Sequence, residues 1–312
     1  MSNVKNIAIL VPCYNEAATI EKVVKDCRQY IPTATVYVYD NNSTDETKEI
    51  AQKAGAIVRR ECKQGKGNVV RRMFADVDAD IYVMIDGDAT YDVSAIPQMI
   101  EKLCSENLDM VVGCRKETEQ ECYRSGHRWG NRLLTDIVSF FLGGKLKDML
   151  SGLRVFSKRF VKTFPARSEG FEIETELTIY AISRKLPVAE VDTDYFSRPE
   201  NSFSKLSTYK DGFRILKTIV WLIKYERPLL FFGLISLFLM IVALLLGIPV
   251  VTEYFKTGFV PRFPTAILAS SIGVCSLISF LIGIVLDSVV ALKKENSRIC
   301  YLSYNGEGKN EL

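Results

Sequence analysis

The chain has 312 residues, enough for one large domain or two ordinary ones with a buried core. Hydrophobic residues make up 48% and charged residues 25%; 40 Lys and Arg against 37 Asp and Glu leave a net charge of +3, too small to argue for nucleic acid as a partner. A single histidine, His127, excludes His-rich zinc sites and argues against a Ser-His-Asp triad, and eight cysteines without a CxxC pair read as reduced thiols.

No secretory signal is expected, because the first apolar run, Ile7–Val11, is short and leads straight into Pro12 and Glu16. Strands are predicted at Ile7–Val11, Val36–Tyr39, Ile57–Val58, Ile81–Ile85 and Met110–Val112, where apolar, β-branched runs stop at polar turns. Helical patterns lie between them, over roughly 17–30, 44–54, 67–78 and 94–106, with Ser43 as the expected N-cap of the second. This alternation implies an α/β fold with a mostly parallel sheet and helices on both faces, in which ligands bind beyond the carboxyl ends of the strands. Those ends carry Pro12-Cys13-Tyr14-Asn15-Glu16, Asp40-Asn41-Asn42-Ser43-Thr44-Asp45, Gln64-Gly65-Lys66-Gly67-Asn68 and Asp86-Gly87-Asp88, so one rim of the sheet reads as a site.

Farther along, 129–142 and 207–225 combine apolar residues at helical spacing with cations or polar residues, the pattern of a helix in a membrane interface or of one facing a core. Residues 229–251 and 264–286 are 23 residues each without a charged side chain, long enough to cross a bilayer as helices. Lys210, Arg214, Lys217, Lys224 and Arg227 precede the first, Lys293, Lys294 and Arg298 follow the second, and only Lys256 and Arg262 lie between. The positive-inside rule therefore places both ends in the cytoplasm and the connection outside, in an inner or plasma membrane. The expected organisation is a cytoplasmic domain over 1–206, an amphipathic helix over 207–228, an anchor over 229–290 and a tail over 291–312. Ala269/Gly273 and Ser279/Gly283 give the second span small residues four apart, for packing within the protomer or in a homo-oligomer.

Asp86-Gly87-Asp88 is the sharpest local signal. Two carboxylates two apart at a strand end can point the same way, and hard oxygen donors suit Mg²⁺ or Mn²⁺ bridging a diphosphate. The Gln64–Asn68 loop opens a basic helix with Arg71 and Arg72, where backbone N–H groups and Lys66 can hold phosphates; it matches neither GxxxxGK[ST] nor GxGxxG. Asp40, at a strand end, can accept a hydrogen bond from a nucleobase. Glu172, Glu174 and Glu176 fall in a helical stretch where only the first and last share a face, and a solvated, an acceptor-positioning and a catalytic role all stay open for them.

Taken in order, these motifs resemble the family 2 glycosyltransferases of GT-A fold. Asp148-Met149-Leu150-Ser151-Gly152-Leu153-Arg154-Val155-Phe156 resembles the segment that carries a catalytic-site Asp in dolichol-phosphate-mannose synthases and bactoprenol-phosphate glucosyltransferases. Arg198-Pro199-Glu200-Asn201-Ser202-Phe203-Ser204-Lys205 is similar to their acceptor-phosphate motif. The resemblance implies an inverting, membrane-bound sugar transfer from a nucleoside diphosphate sugar to a polyprenyl phosphate. It puts a divalent cation on Asp86 and Asp88, the nucleoside at Pro12, Tyr14, Glu16 and Asp40, and the diphosphate near Lys66 and Arg71. Asp88 and Asp148 fall at the catalytic positions, and Arg198, Ser204 and Lys205 at the acceptor phosphate. Three positions depart from the family pattern: Asn41 stands for the second Asp of its motif, Thr90 for a Gln near the metal, and Asn201 for a Gly with one extra residue before Ser204. Rival readings are a polysaccharide synthase, whose Gln-x-x-Arg-Trp motif has Ser125 in its first place here, and a catalytically silent nucleotide-sugar-binding scaffold.

Overall fold

The structure, a computed structural model, describes residues 5–116, 147–198, 217, 219–222 and 224–304. Strands form where the apolar runs predict them: β1 (Ile7–Cys13), β2 (Thr35–Asp40), β3 (Ile57–Arg60), β4 (Ile81–Met84) and β5 (Met110–Arg115). Two more, β6 (Arg154–Ser157) and β7 (Val188–Thr193), complete a sheet of order β3-β2-β1-β4-β6-β5-β7. β6 is antiparallel to both neighbours, and the other six strands run one way.

Alternation along β1 explains why both faces are covered. Ala8 and Leu10 enter one apolar layer, Ile9 and Val11 the other, and all four are buried. The second layer is closed by α1 (Ile20–Tyr30), α2 (Thr47–Lys53) and α4 (Ile96–Ser105), the first by α3 (Lys66–Asp76), α5 (Lys158–Thr163) and α6 (Ile173–Ser183). In α1, Ile20, Val23, Val24 and Cys27 form the buried stripe, while Glu21–Lys25 and Lys22–Asp26 pair on the outside. α2 starts later than its pattern predicts, and Ser43 is not its N-cap. Ser43 Oγ accepts from the Asn15 N–H (2.9 Å), Asn15 Oδ1 accepts from the Thr44 N–H (2.7 Å), and Asp45 Oδ1 accepts from Thr47 at the helix start. These bonds lace the loops after β1 and β2 together at the rim.

The carboxyl ends of all six parallel strands lie on that rim. Because β6 runs the opposite way, the residues leading into it, Asp148–Leu153, lie there too.

The chain separates into two compact units, Met1–Ile219 with Ile299–Leu312, and Val220–Arg298. The second contains α7 (Pro228–Thr257) and most of α8 (Phe263–Ser303), both long and apolar enough to cross a membrane. α7 stops at Gly258, whose φ of 72° ends the helix as a side-chain-bearing residue rarely can. The two helices pack as an antiparallel hairpin. Gly247 faces Ala269, Ser276 Oγ donates to the Ser236 carbonyl (2.8 Å), and Gly283 faces Phe232 and Leu229. Ser276 is fully buried, whereas Leu245 is 69% and Phe238 66% exposed, a polar-inside, apolar-outside order that inverts a water-soluble helix pair. Ala269 and Gly283 thus take part in packing inside the hairpin. α8 runs on through Ser303, so most of the expected tail is helical. The segments 129–142, 207–216 and 305–312 lie outside the described residues; 217, 219–222 and 224–226 are helical, with Ile219 and Leu222 buried and Val220, Trp221 and Tyr225 exposed.

Candidate active site

Asp86, Gly87 and Asp88 follow β4 almost directly, at the middle of the rim. Asp86 Oδ1 lies 2.5 Å from Nζ of Lys66, the first residue of α3, and the same ammonium lies 2.5 Å from Oε1 of Glu174 on α6. Burial works against this ammonium, but the charges of Asp86 and Glu174 outweigh it and hold its pKa above the ordinary lysine range. Asp88 Oδ1 accepts from the Thr90 hydroxyl (2.6 Å) and N–H (3.2 Å), and Asp88 Oδ2 is 2.6 Å from Nη2 of Arg198. Burial and the neighbouring Asp86 charge push the Asp88 carboxyl up, and Arg198 and Thr90 pull against them. Thr90, in place of the family's Gln, therefore orients Asp88.

Arg198 reaches Asp88 through a short antiparallel contact beyond β7. Phe196 N–H donates to the Thr90 carbonyl (2.8 Å), Asp92 N–H to the Asp194 carbonyl (3.3 Å), and the rings of Tyr91 and Tyr195 meet edge to face at 5.2 Å. The loop after the metal-type motif and the start of the acceptor-type motif are thus one structural piece.

The segment before β6 closes the site. A Cβ on Gly152 would collide with the Asp86 carboxylate, so glycine lets that carboxylate keep its place against this segment. Gly152 N–H donates to Tyr91 Oη (2.7 Å), and Ser151 Oγ to the Gly113 carbonyl (2.5 Å). Arg154, fully buried, holds the turn from beneath, donating to the carbonyls of Met149 (2.6 Å) and Ser151 (2.9 Å) and to Thr178 Oγ1 (3.0 Å). Asp148 is gripped by Arg115, the last residue of β5: Nε to Oδ2 at 2.6 Å and Nη2 to Oδ1 at 2.7 Å. The Arg115 guanidinium also lies over the Tyr195 ring, 5.5 Å from its centroid.

On the β1–β2 side, Pro12 pairs in register with Tyr39, Tyr14 is partly exposed, and Glu16 is buried beneath the loop with its backbone N–H on Thr47 Oγ1 (2.8 Å). Asp40, 5% exposed, accepts weakly from the Ser43 N–H. Asn41 brackets the loop after β3: its Nδ2 donates to the carbonyls of Glu61 (2.9 Å) and Lys63 (2.8 Å), and its Oδ1 accepts from the Gly65 N–H (2.7 Å). A carboxylate could not make the two donations, so the departure from paired Asp has a structural reason.

The glycine loop does not cradle phosphate with its backbone as the sequence suggests. The N–H groups of Gly65, Gly67 and Asn68 are engaged by Asn41 and by the carbonyls of Gly170 and Glu169, and a Cβ on Gly65 or Gly67 would collide with the 168–169 backbone. Lys66 is the part of this loop that faces the carboxylates. Arg71, one turn along, is exposed with Nη2 on Asn68 Oδ1 (2.6 Å) and is not joined to them. Ser204 and Lys205 lie outside the described residues.

The donor set fits a hard divalent cation: two neighbouring carboxylates at a strand end, one of them buried and already matched by a cationic side chain. Among the described residues no three His, Cys, Asp or Glu side chains form a ready cage, so phosphate oxygens and water would have to complete the shell.

The family model described as glycosyl transferase family 2 matches residues 8–164, half of the chain. The chain belongs to this family. It is 60% identical over 124 residues to Protein RfbJ of Shigella flexneri, covering 39% of this chain and 96% of RfbJ. It is 28% identical over 222 residues to a dolichyl-phosphate hexose transferase of Haloferax volcanii, covering 71% and 96% of the two chains. Among solved structures it resembles glucosyl-3-phosphoglycerate synthase of Mycobacterium tuberculosis, crystallised with Mn²⁺, UDP and glucosyl-3-phosphoglycerate, with a TM-score of 0.58, 22% identity and coverage of 70% and 80%. The fold is that of the GT-A glycosyltransferases, as the order of motifs implies. Arg115, Tyr91 and Tyr195 join the candidate site of this glycosyltransferase although no motif singled them out, and Glu174 joins it through Lys66, a partner the sequence does not show.

Proposed function

We propose that this glycosyltransferase moves one sugar from a nucleoside diphosphate sugar to a polyprenyl phosphate at a membrane surface, using Mg²⁺ or Mn²⁺ on Asp86 and Asp88. The observation that carries the reading is the 2.6 Å pair of Asp88 with Arg198, which sets the carboxylates suited to a donor diphosphate against the segment that resembles an acceptor-phosphate motif. Two long apolar helices follow in the same chain, and a lipid acceptor presents its phosphate to water only at the membrane surface. The relative named for dolichyl-phosphate hexose transfer and the neighbour holding Mn²⁺ and UDP support the same reading. The domain with the site and the C-terminus face the cytoplasm.

In this reading Pro12, Tyr14, Glu16 and Asp40 hold the nucleoside, Lys66 faces the diphosphate, and Arg71 adds positive charge one turn away. The cation, when bound, neutralises the departing diphosphate. Arg198, with Ser204 and Lys205, receives the acceptor phosphate. One of its oxygens forms a bond to the anomeric carbon as the bond to the diphosphate oxygen breaks, with inversion. A phosphate monoester has a second pKa of about 6, so the nucleophile is largely ionised at pH 7 without a strong base. Asp148, with both oxygens held by Arg115, then fixes the acceptor side of the site and does not remove a proton.

The test compares cations that the motif singles out with cations that merely face the membrane. Arg198→Ala and Lys205→Ala should each abolish most transfer to lipid while donor binding persists; Lys210→Ala and Lys217→Ala should have small effects that fade at high salt. Equal loss in all four would replace the acceptor clamp by a general membrane-surface role.

A further inference from the structure

The three glutamates that open α6 have separate fates. Glu176 accepts from the N–H groups of Arg167 (3.0 Å) and Ser168 (2.7 Å), and Glu172 from the N–H of Gly170 (3.1 Å), so both brace the turn before the helix. Glu174 reaches away from that turn to the Lys66 ammonium at 2.5 Å, with its side chain 5% exposed. Lys66 is therefore shared between two carboxylates of different standing. Asp86, 25% exposed, lies at the rim where a cation and diphosphate would bind, and Glu174 is shut away behind the lysine.

That arrangement has a consequence for metal binding. A lysine paired with Asp86 alone would compete with a divalent cation for the same carboxylate, and the arriving cation would repel the ammonium. With a second carboxylate on its far side, the ammonium keeps a matched charge when Asp86 turns to the cation. It also stays beside the carboxylate pair, where it can meet a diphosphate oxygen.

We propose that Glu174 is a positioning residue: by holding Lys66 from behind, it releases Asp86 for the divalent cation and keeps the ammonium set for the diphosphate. This rests on the reading that Asp86 and Asp88 bind the cation, and neither the glycine loop nor the spacing of the glutamates points to it.

The test uses purified full-length protein in detergent, with Mn²⁺ binding followed through the paramagnetic resonance signal of free Mn²⁺ and inorganic pyrophosphate as the diphosphate probe in calorimetry. Glu174→Gln should weaken Mn²⁺ binding at least fivefold, because Lys66 then falls wholly to Asp86. Adding Lys66→Met to that variant should restore Mn²⁺ affinity to within twofold of Lys66→Met alone. With Mn²⁺ saturating, Glu174→Gln and Lys66→Met should weaken pyrophosphate binding to a similar degree, and the double variant should be no worse than either. Glu174→Asp, which keeps the charge but withdraws it by one methylene, should show a smaller weakening that Lys66→Met again removes. This pair of variants serves equally where the Gln protein does not fold. A merely structural role would weaken Mn²⁺ binding with or without Lys66. Mn²⁺ affinity within twofold of wild type in Glu174→Gln, or additive losses in the double variant, would overturn the assignment. Asp88→Asn separates the two levels: if it binds Mn²⁺ as tightly as wild type, the metal reading falls together with the Glu174 proposal. If it loses Mn²⁺ while Glu174→Gln does not, only the proposal falls.

Discussion

Asp148 sits where the family resemblance puts a catalytic carboxylate, yet both of its oxygens are taken by one guanidinium. Asp148→Asn tests which fact governs its role. Asparagine retains one acceptor toward Arg115 and loses the other together with the charge. A hydrogen bond to a charged group is worth about 1.5–3 kcal/mol, and the pair is well buried, with side chains 13% and 9% exposed, so the variant should lose about that much stability. In a domain of this size that corresponds to a fall in Tm of roughly 3–12 °C, at about 2–4 °C per kcal/mol. Arg115→Met removes both guanidinium bonds and the charge that matches the carboxylate, leaving the backbone N–H of residue 115 at 3.4 Å, for which about 3–5 kcal/mol is expected. The assay is thermal unfolding in detergent alongside transfer kinetics for both single variants and the double. If Asp148 acts through Arg115, the double variant should be no worse in kcat/KM than the worse single variant, and losses in activity and Tm should run together. A thousandfold loss in Asp148→Asn with Tm unchanged and no coupling to Arg115 would refute the reasoning and return Asp148 to the reacting atoms.

Other substitutions probe the frame around the carboxylates. Gly152→Ala should weaken Mn²⁺ binding more than tenfold in titration, because its Cβ would collide with the Asp86 carboxylate; unchanged Mn²⁺ affinity would mean that the two segments separate easily. Asn41→Asp should restore the family's paired acids and still do harm, lowering stability by about 1–3 kcal/mol by thermal unfolding, since the Glu61 and Lys63 carbonyls lose their donor at a net of about 0.5–1.5 kcal/mol each. A cysteine introduced at Thr257 should react with an impermeant reagent from outside the cell and one at Lys294 only after permeabilisation, as the cation bias requires; the reverse pattern would put the site on the wrong side for cytoplasmic sugar nucleotides.

Most of the strands that the sequence made legible are those whose residues are buried on both faces. β1, β2, β4 and β5 are unbroken apolar runs because a doubly covered parallel sheet demands them, and β3 was found from only two apolar residues. β6 and β7 carry charged residues that break such a run. β6 begins with Arg154, a buried cation held by carbonyls of its own turn and by Thr178 Oγ1, and β7 carries Glu190 and Asp192 on an edge strand. At the site, motif spacing located Asp86, Asp88, Lys66 and Asp40 because Asp40 closes a strand and the others follow one within a few residues. The sequence names Glu174 beside Glu172 and Glu176 but not its partner, because helical spacing relates residues of one helix and Lys66 lies on another. Arg115 closes a strand without any motif, and its importance appears only when β6 brings Asp148 beside it. The expectation of a phosphate cradle at Gly65–Asn68 failed because local sequence cannot show that residues 168–170 cover the same N–H groups.

The most direct measurement of the transfer itself is mass spectrometry of the lipid fraction after purified full-length protein is incubated with Mg²⁺ or Mn²⁺, undecaprenyl phosphate and a panel of nucleoside diphosphate sugars. One donor should yield a lipid heavier by a single sugar residue, and EDTA should abolish that product until the cation is returned. Donor consumed with the sugar passing to a polysaccharide or another glycolipid would contradict a polyprenyl phosphate acceptor, and a protein that binds a sugar nucleotide but turns over none would leave a silent scaffold in its place.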